Sequence, residues 1–205
     1  MIKMKNTKKD EMLAIAKDTL FEKYKKISSQ VFEEIDKKYT DTVYYEELKE
    51  AFLDACEKCD KMQQNNKKKE IMFVGVHFLK SSMITGTYDL YINFYDNHLY
   101  GDRVETYGIW KPKTIMSYYD EFAEIYEKNI RRKIVRPMYS EIQDMKMQLY
   151  GDFLKIAEGI VRAYAFELIN LPEFITLNRQ SEYALFFSAY MELGHPLCSW
   201  KKNMT

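Results

Sequence analysis

The sequence predicts a mainly α protein: a single-domain bundle of about six helices with one inserted two-stranded antiparallel β-hairpin. Three observations lead there. Most segments repeat apolar residues at steps of three or four, as a helix with one buried face requires. One segment alone, Thr87 to Tyr107, alternates with a period of two. The breakers Gly86, Pro137, Pro172 and Gly194 with Pro196 fall between the periodic segments rather than inside them.

From Asp10 onward, Met12, Ala16, Leu20, Tyr24, Ile27, Val31 and Ile35 lie along one helical face, and Ser28-Ser29 is the natural place for a bend. Residues 1–9 are expected to fray. A second helix starts where Asp41 or Thr42 caps the free N–H groups and Glu46 and Glu47 suit the positive end of the dipole. Its stripe is Tyr44, Leu48, Ala51, Phe52, Ala55, Cys56, Cys59 and Met62, and "QQNNKKK" ends it. These two helices are expected to form an antiparallel hairpin.

Residues 70–85 are a nearly continuous apolar run that fits a buried helix or a buried strand. Length favours a helix closed by Gly86; a strand here would make the fold α+β. Next, Tyr88, Leu90, Ile92 and Phe94 alternate with polar neighbours as a strand, "DNH" turns, and the chain returns as the hairpin's second strand. Pro112 opens a helix striped by Ile115, Tyr119, Phe122, Tyr126 and Ile130. Another carries Ile142, Met145, Leu149, Phe153, Ile156, Ile160 and Tyr164 up to Pro172, and a last helix runs from Asn178 to Leu193.

A chain of 205 residues is long enough for one well-buried core, so residues 1–205 are read as a single globular domain. Lys plus Arg and Asp plus Glu both number 31, so no excess of charge points to a polyanion. With 17 Tyr and 12 Phe the core should be aromatic. No apolar run approaches the ~20 residues of a membrane span, and "MIKMKNTKKDEM" lacks a signal peptide's apolar region. A cytoplasmic protein with no membrane partner is expected. An odd count of 3 Cys argues for reduced thiols.

The sharpest chemical constellation is Cys56, Cys59, His195 and Cys198, three thiols and an imidazole that a tetrahedral zinc site would accept. Burial on a helical stripe explains Cys56 and Cys59 without a metal, and no cofactor is expected beyond that zinc alternative. Glu192 and His195 have the spacing of half a di-iron site, but no second such motif exists. The cluster "RRKIVRP" fits the negative end of a helix dipole, which makes nucleic-acid binding an unneeded explanation. No hydrolase elbow, phosphate loop or His-Glu-x-x-His is present. Tyr88, Tyr91, Tyr95, Tyr100 and Tyr107 gather on the hairpin as a candidate interaction surface, since tyrosine buries large area at low entropic cost. The expected function is therefore a non-enzymatic interaction or regulatory protein that binds another protein or itself. The alternatives are metal binding through the Cys3His set and a small enzyme with carboxylate chemistry.

Overall fold

The computed structural model describes residues 8–192 and 194–201, with backbone alone at residues 9, 17–19 and 195. The elements in chain order are α1 (Lys8–Lys38), α2 (Val43–Gln64), β1 (Ile71–Phe78), α3 (Lys80–Thr85), β2 (Leu90–Tyr95), a 3-10 turn (Leu99–Gly101), β3 (Thr106–Trp110), α4 (Lys113–Lys133), α5 (Tyr139–Ile169), α6 (Pro172–Ile175), β4 (Arg179–Ala189) and β5 (His195–Lys201).

This is an α+β fold, not a mainly α bundle with a hairpin. A five-stranded mixed sheet of order β3-β2-β1-β4-β5 replaces two of the expected helices. The first correction is at residues 70–85, which form β1 and only a short α3 closed by Gly86 at φ 71°. β1 pairs antiparallel with β2 and parallel with β4, which makes it the central strand. A central strand covered on both faces reads as a continuous apolar run, so its alternation is hidden. The second correction is the expected helix at 178–193, which is β4. Gly194 and Pro196 lie at the entry to β5 rather than at a helix stop.

The chain packs as two compact units, one drawn from residues up to Tyr39 and from Lys113 to Ala157, the other from Thr40 to Pro112 and from Glu158 onward. In the first, α1, α4 and the first part of α5 meet through aromatic edges. The rings of Phe122 and Tyr119 lie 5.4 and 5.8 Å from Phe153, and Tyr24 lies 5.7 Å from it. Tyrosine hydroxyls inside this core donate to backbone carbonyls, Tyr24 to Asp152 at 3.0 Å and Tyr126 to Met12 at 3.3 Å. The helix α1 runs unbroken through Ser28-Ser29.

In the second unit Thr42 caps α2, its hydroxyl accepting from the Tyr45 N–H at 3.2 Å. The stripe read from sequence, from Tyr44 to Cys59, is buried. It packs on the sheet face carrying Val74, Val76, Ile92, Phe94 and Leu90, all at most 1% exposed. Phe174 of α6 joins this core, its ring 5.3 Å from Phe52 and 5.6 Å from Phe94.

Gly108 of β3 permits the closest approach of α2 to the sheet: a Cβ there would stand 1.9 Å from the Ala51 carbonyl oxygen. Gly108→Ala should therefore force α2 away from β3 and cost about 1–3 kcal/mol by overpacking. Urea unfolding checks this, and a variant as stable as the parent would show that the helix shifts at no cost.

Candidate functional site

The alternation of β1 that buries Val74 and Val76 under α2 turns Phe73, Gly75 and His77 to the other face. The register adds Tyr91, Asn93 and Tyr95 from β2, Tyr107 and Ile109 from β3, and Ala184, Phe186 and Ser188 from β4. Two aromatic side chains from the connections cover part of this face, Tyr100 from the 3-10 turn and Tyr190 from the end of β4.

His77 is fully buried at its centre. Its Nδ1 lies 3.1 Å from the Ser188 hydroxyl and its Nε2 3.1 Å from the Tyr95 hydroxyl, so each ring nitrogen meets a group able to donate or accept. The rings of Tyr95, Tyr100, Phe186 and Tyr190 surround it at 5.3 to 5.8 Å. Gly75 makes the room, because a Cβ there would stand 2.3 Å from His77 Nε2. Burial lowers the His77 pKa to about 4, against a smaller opposing effect of a hydrogen bond to the Ala189 backbone. The ring is neutral at pH 7.

Outside this cage the Tyr190 hydroxyl donates to Glu105 at 2.8 Å, and the Tyr100 hydroxyl donates to the Glu192 carbonyl at 2.7 Å. The Glu105 contact and burial raise the Tyr190 pKa to about 12. The connection carrying Tyr100 is itself pinned by a buried ion pair between Lys68 and Asp102. Asp102 also accepts the backbone N–H groups of Asp96 and Val104, each at 3.0 Å.

The cage borders an apolar cleft of about 350 Å³ lined by Phe73, Leu99, Tyr100, Ala184, Phe186 and Pro196, with Gly194. The imidazole is fully buried, and its two side-chain partners are the hydroxyls of Ser188 and Tyr95. The arrangement forms a hydrogen-bonded support beside an apolar recess.

Of the five tyrosines expected at an interaction surface, Tyr91, Tyr100 and Tyr107 lie half-buried on or over this face, and Tyr88 is half-buried before β2. Tyr95 is buried in the cage and 2% exposed. Cys56 and Cys59 are buried on α2, and Cys198 sits on β5 opposite Leu185. Burial pushes the Cys59 thiol up to about 11 and the Cys56 thiol higher, and burial likewise raises Cys198 to about 11. The His195 side chain lies outside the described residues. Among the described residues, no group of three or more His, Cys, Asp or Glu side chains could hold a metal ion. Nor is any helix there long and apolar enough to cross a membrane.

Sequence reasoning left His77, Phe73, Phe186, Ser188 and Tyr190 out of the site. One signal was available for His77: a polar residue inside an apolar run is the informative exception in a core. No family model, curated protein or solved structure matches the chain.

The cage generates a pH dependence. Above about pH 6.5 neither state protonates His77; as pH falls from there towards about 4 the unfolded chain takes the proton and the folded one does not. Stability should fall with pH across that window by up to about 1.4 kcal/mol per unit. Denaturant titrations of the parent and His77→Gln at several pH values check this, the variant losing the slope. Equal slopes in the two proteins would rule out His77 as the source.

Proposed function

We propose that the protein is a non-enzymatic interaction module that receives an apolar anchor side chain of a partner polypeptide in the cleft beside the His77 cage. The observation that carries this reading is the composition of the second sheet face. Tyr100 lines the cleft, and farther along the same face β2 and β3 present Tyr91 and Tyr107 half-buried and Ile109 37% exposed, where solvent-facing strand positions are ordinarily polar.

A half-buried tyrosine bordering an apolar recess, with others on the same sheet face, has the make-up of an interface core: large area, little side-chain entropy to lose and a hydroxyl for the rim. The floor is rigid because His77 is hydrogen-bonded on both sides. A preformed recess reduces the ordering cost of association. The cleft lining contains no carboxylate, which separates this reading from carboxylate catalysis.

A displayed peptide library selected against the protein tests this. Selection should enrich peptides with an aromatic or branched aliphatic anchor, and their binding should weaken at least about tenfold, or about 1.4 kcal/mol, on Phe73→Arg. Phe73→Leu, which keeps the recess apolar, should retain most of the affinity. Enriched peptides that bind the Phe73→Arg variant as tightly as the parent, with the fold of the variant intact by circular dichroism, would overturn the assignment.

A further inference from the structure

A second recess lies in the same unit, where α5 ends and β4 begins. It has a volume of about 230 Å³ and is lined by Asn170, Asn178, Arg179, Gln180 and Tyr183 with three aliphatic side chains. Its chemistry is opposite to that of the apolar cleft: amides, a phenol and one guanidinium, with no carboxylate.

The guanidinium of Arg179 lies over two rings that touch edge to face, 4.8 Å from the centroid of Phe174 and 5.4 Å from that of Tyr183. Stacking of this kind fixes the plane of the group while leaving its N–H edge available. Two of its five N–H bonds are used internally: NH2 donates to the Ile175 carbonyl at 3.0 Å, and NH1 donates to the Tyr183 hydroxyl at a long 3.4 Å. Its Nε is buried without a hydrogen-bond partner. Arg179 forms no ion pair among the described residues, whereas the arginines Arg131 and Arg162 each pair with a glutamate. The wall beside it is braced, since Gln63 holds Asn178 from both sides, accepting its N–H at 2.9 Å and donating to its carbonyl at 2.8 Å.

From this arrangement we infer that the Arg179 recess is a binding site for a small organic acid, whose carboxylate pairs with the guanidinium. A planar carboxylate matches the fork of a stacked arginine, and side-chain amides supply neutral donors around it. Phosphate is the poorer match. A dianion asks for a second cation or a run of backbone N–H groups, and the recess lining contains no other cation. Its volume falls below the ~300–1,000 Å³ of sites for drug-sized molecules, which limits the ligand to an acid of a few carbons.

The test is a calorimetric titration of the full chain at constant ionic strength with acetate, succinate, glutarate, benzoate and inorganic phosphate. At least one carboxylate should bind with a Kd below about 1 mM and raise the melting temperature as mass action requires. Arg179→Gln should weaken that acid at least about tenfold, and Arg179→Lys should weaken it nearly as much, because a point charge does not replace the fork. Should Arg179→Gln not fold, Gln180→Glu keeps the guanidinium and supplies an internal carboxylate; it should abolish binding while leaving the melting temperature unchanged or higher. The inference is overturned if no carboxylate saturates the protein, if phosphate binds more tightly than every acid, or if the acid binds Gln180→Glu as well as the parent. None of these readouts involves the apolar cleft, so Phe73→Arg should leave acid binding unchanged.

Discussion

The position of β1 is the constraint on which the second unit depends. It is hydrogen-bonded along both edges, to β2 and to β4, and its residues Val74, Gly75, Val76 and His77 are buried on both faces. The β1–β4 pair is parallel, and a parallel pair cannot be closed by a tight turn. Between Phe78 and Arg179 the chain therefore makes β2, β3, α4 and α5 before β4 can pair. The entropic cost of closing such a loop rises by only ~0.6 kcal/mol per doubling of its length. A connection long enough to hold most of a helical unit is consequently tolerated, provided the pair it closes is strong. β1–β4 meets that condition because Leu185, on the α2 side, is fully buried opposite Val74.

A strand buried on both faces must satisfy whatever polar atoms it carries. His77 is the polar side chain of β1, and Ser188 and Tyr95 reach it from the two neighbouring strands, so the cage draws β4, β1 and β2 together across the sheet. The same logic governs Lys68 and Asp102, whose side chains are 0% and 4% exposed. A buried ion pair is weak evidence for net stability because desolvation offsets the attraction, yet removal of one partner costs about 3–5 kcal/mol. Its effect here is conformational: Asp102 organises the turn from Asp96 to Val104 and so sets Tyr100 over His77.

The helices of the first unit and α2 were legible because each presents one buried face, and the stripes of α1, α2, α4 and α5 survive in the structure. β2 was legible because its apolar residues Leu90, Ile92 and Phe94 alternate with Tyr91, Asn93 and Tyr95, although Asn93 and Tyr95 are buried as well. β1 was not, since Val74, Gly75, Val76 and His77 are buried in succession. For β4 the obscuring feature is irregular pairing, which breaks the period of two near its middle. Of the tyrosines of the hairpin, Tyr100 marked one border of the cleft. Its other border, Ala184, Phe186 and Pro196, became visible only when β4 and β5 were known to be strands. The environment of Arg179 had no sequence signal, because Phe174 and Tyr183 stack on it through a tertiary arrangement that local spacing does not encode.

The irregularity of β4 also explains how one strand serves both recesses. Ile71 to Phe73 on β1 is opposed by Arg179 to Ala184 on β4, so β4 takes several residues where β1 takes two. Extra residues in one strand bend it and re-aim its side chains, which is why bulges recur beside sites. Before the irregularity, Arg179, Gln180 and Tyr183 line the polar recess; after it, Ala184 and Phe186 line the apolar cleft. A regular ladder would carry a single alternation from Arg179 to Phe186, with Arg179 and Tyr183 on the face of Leu185. The irregularity breaks that alternation at the start of the pair, while the segment from Ala184 to Ala189 stays in register with β1 and the cleft floor is kept.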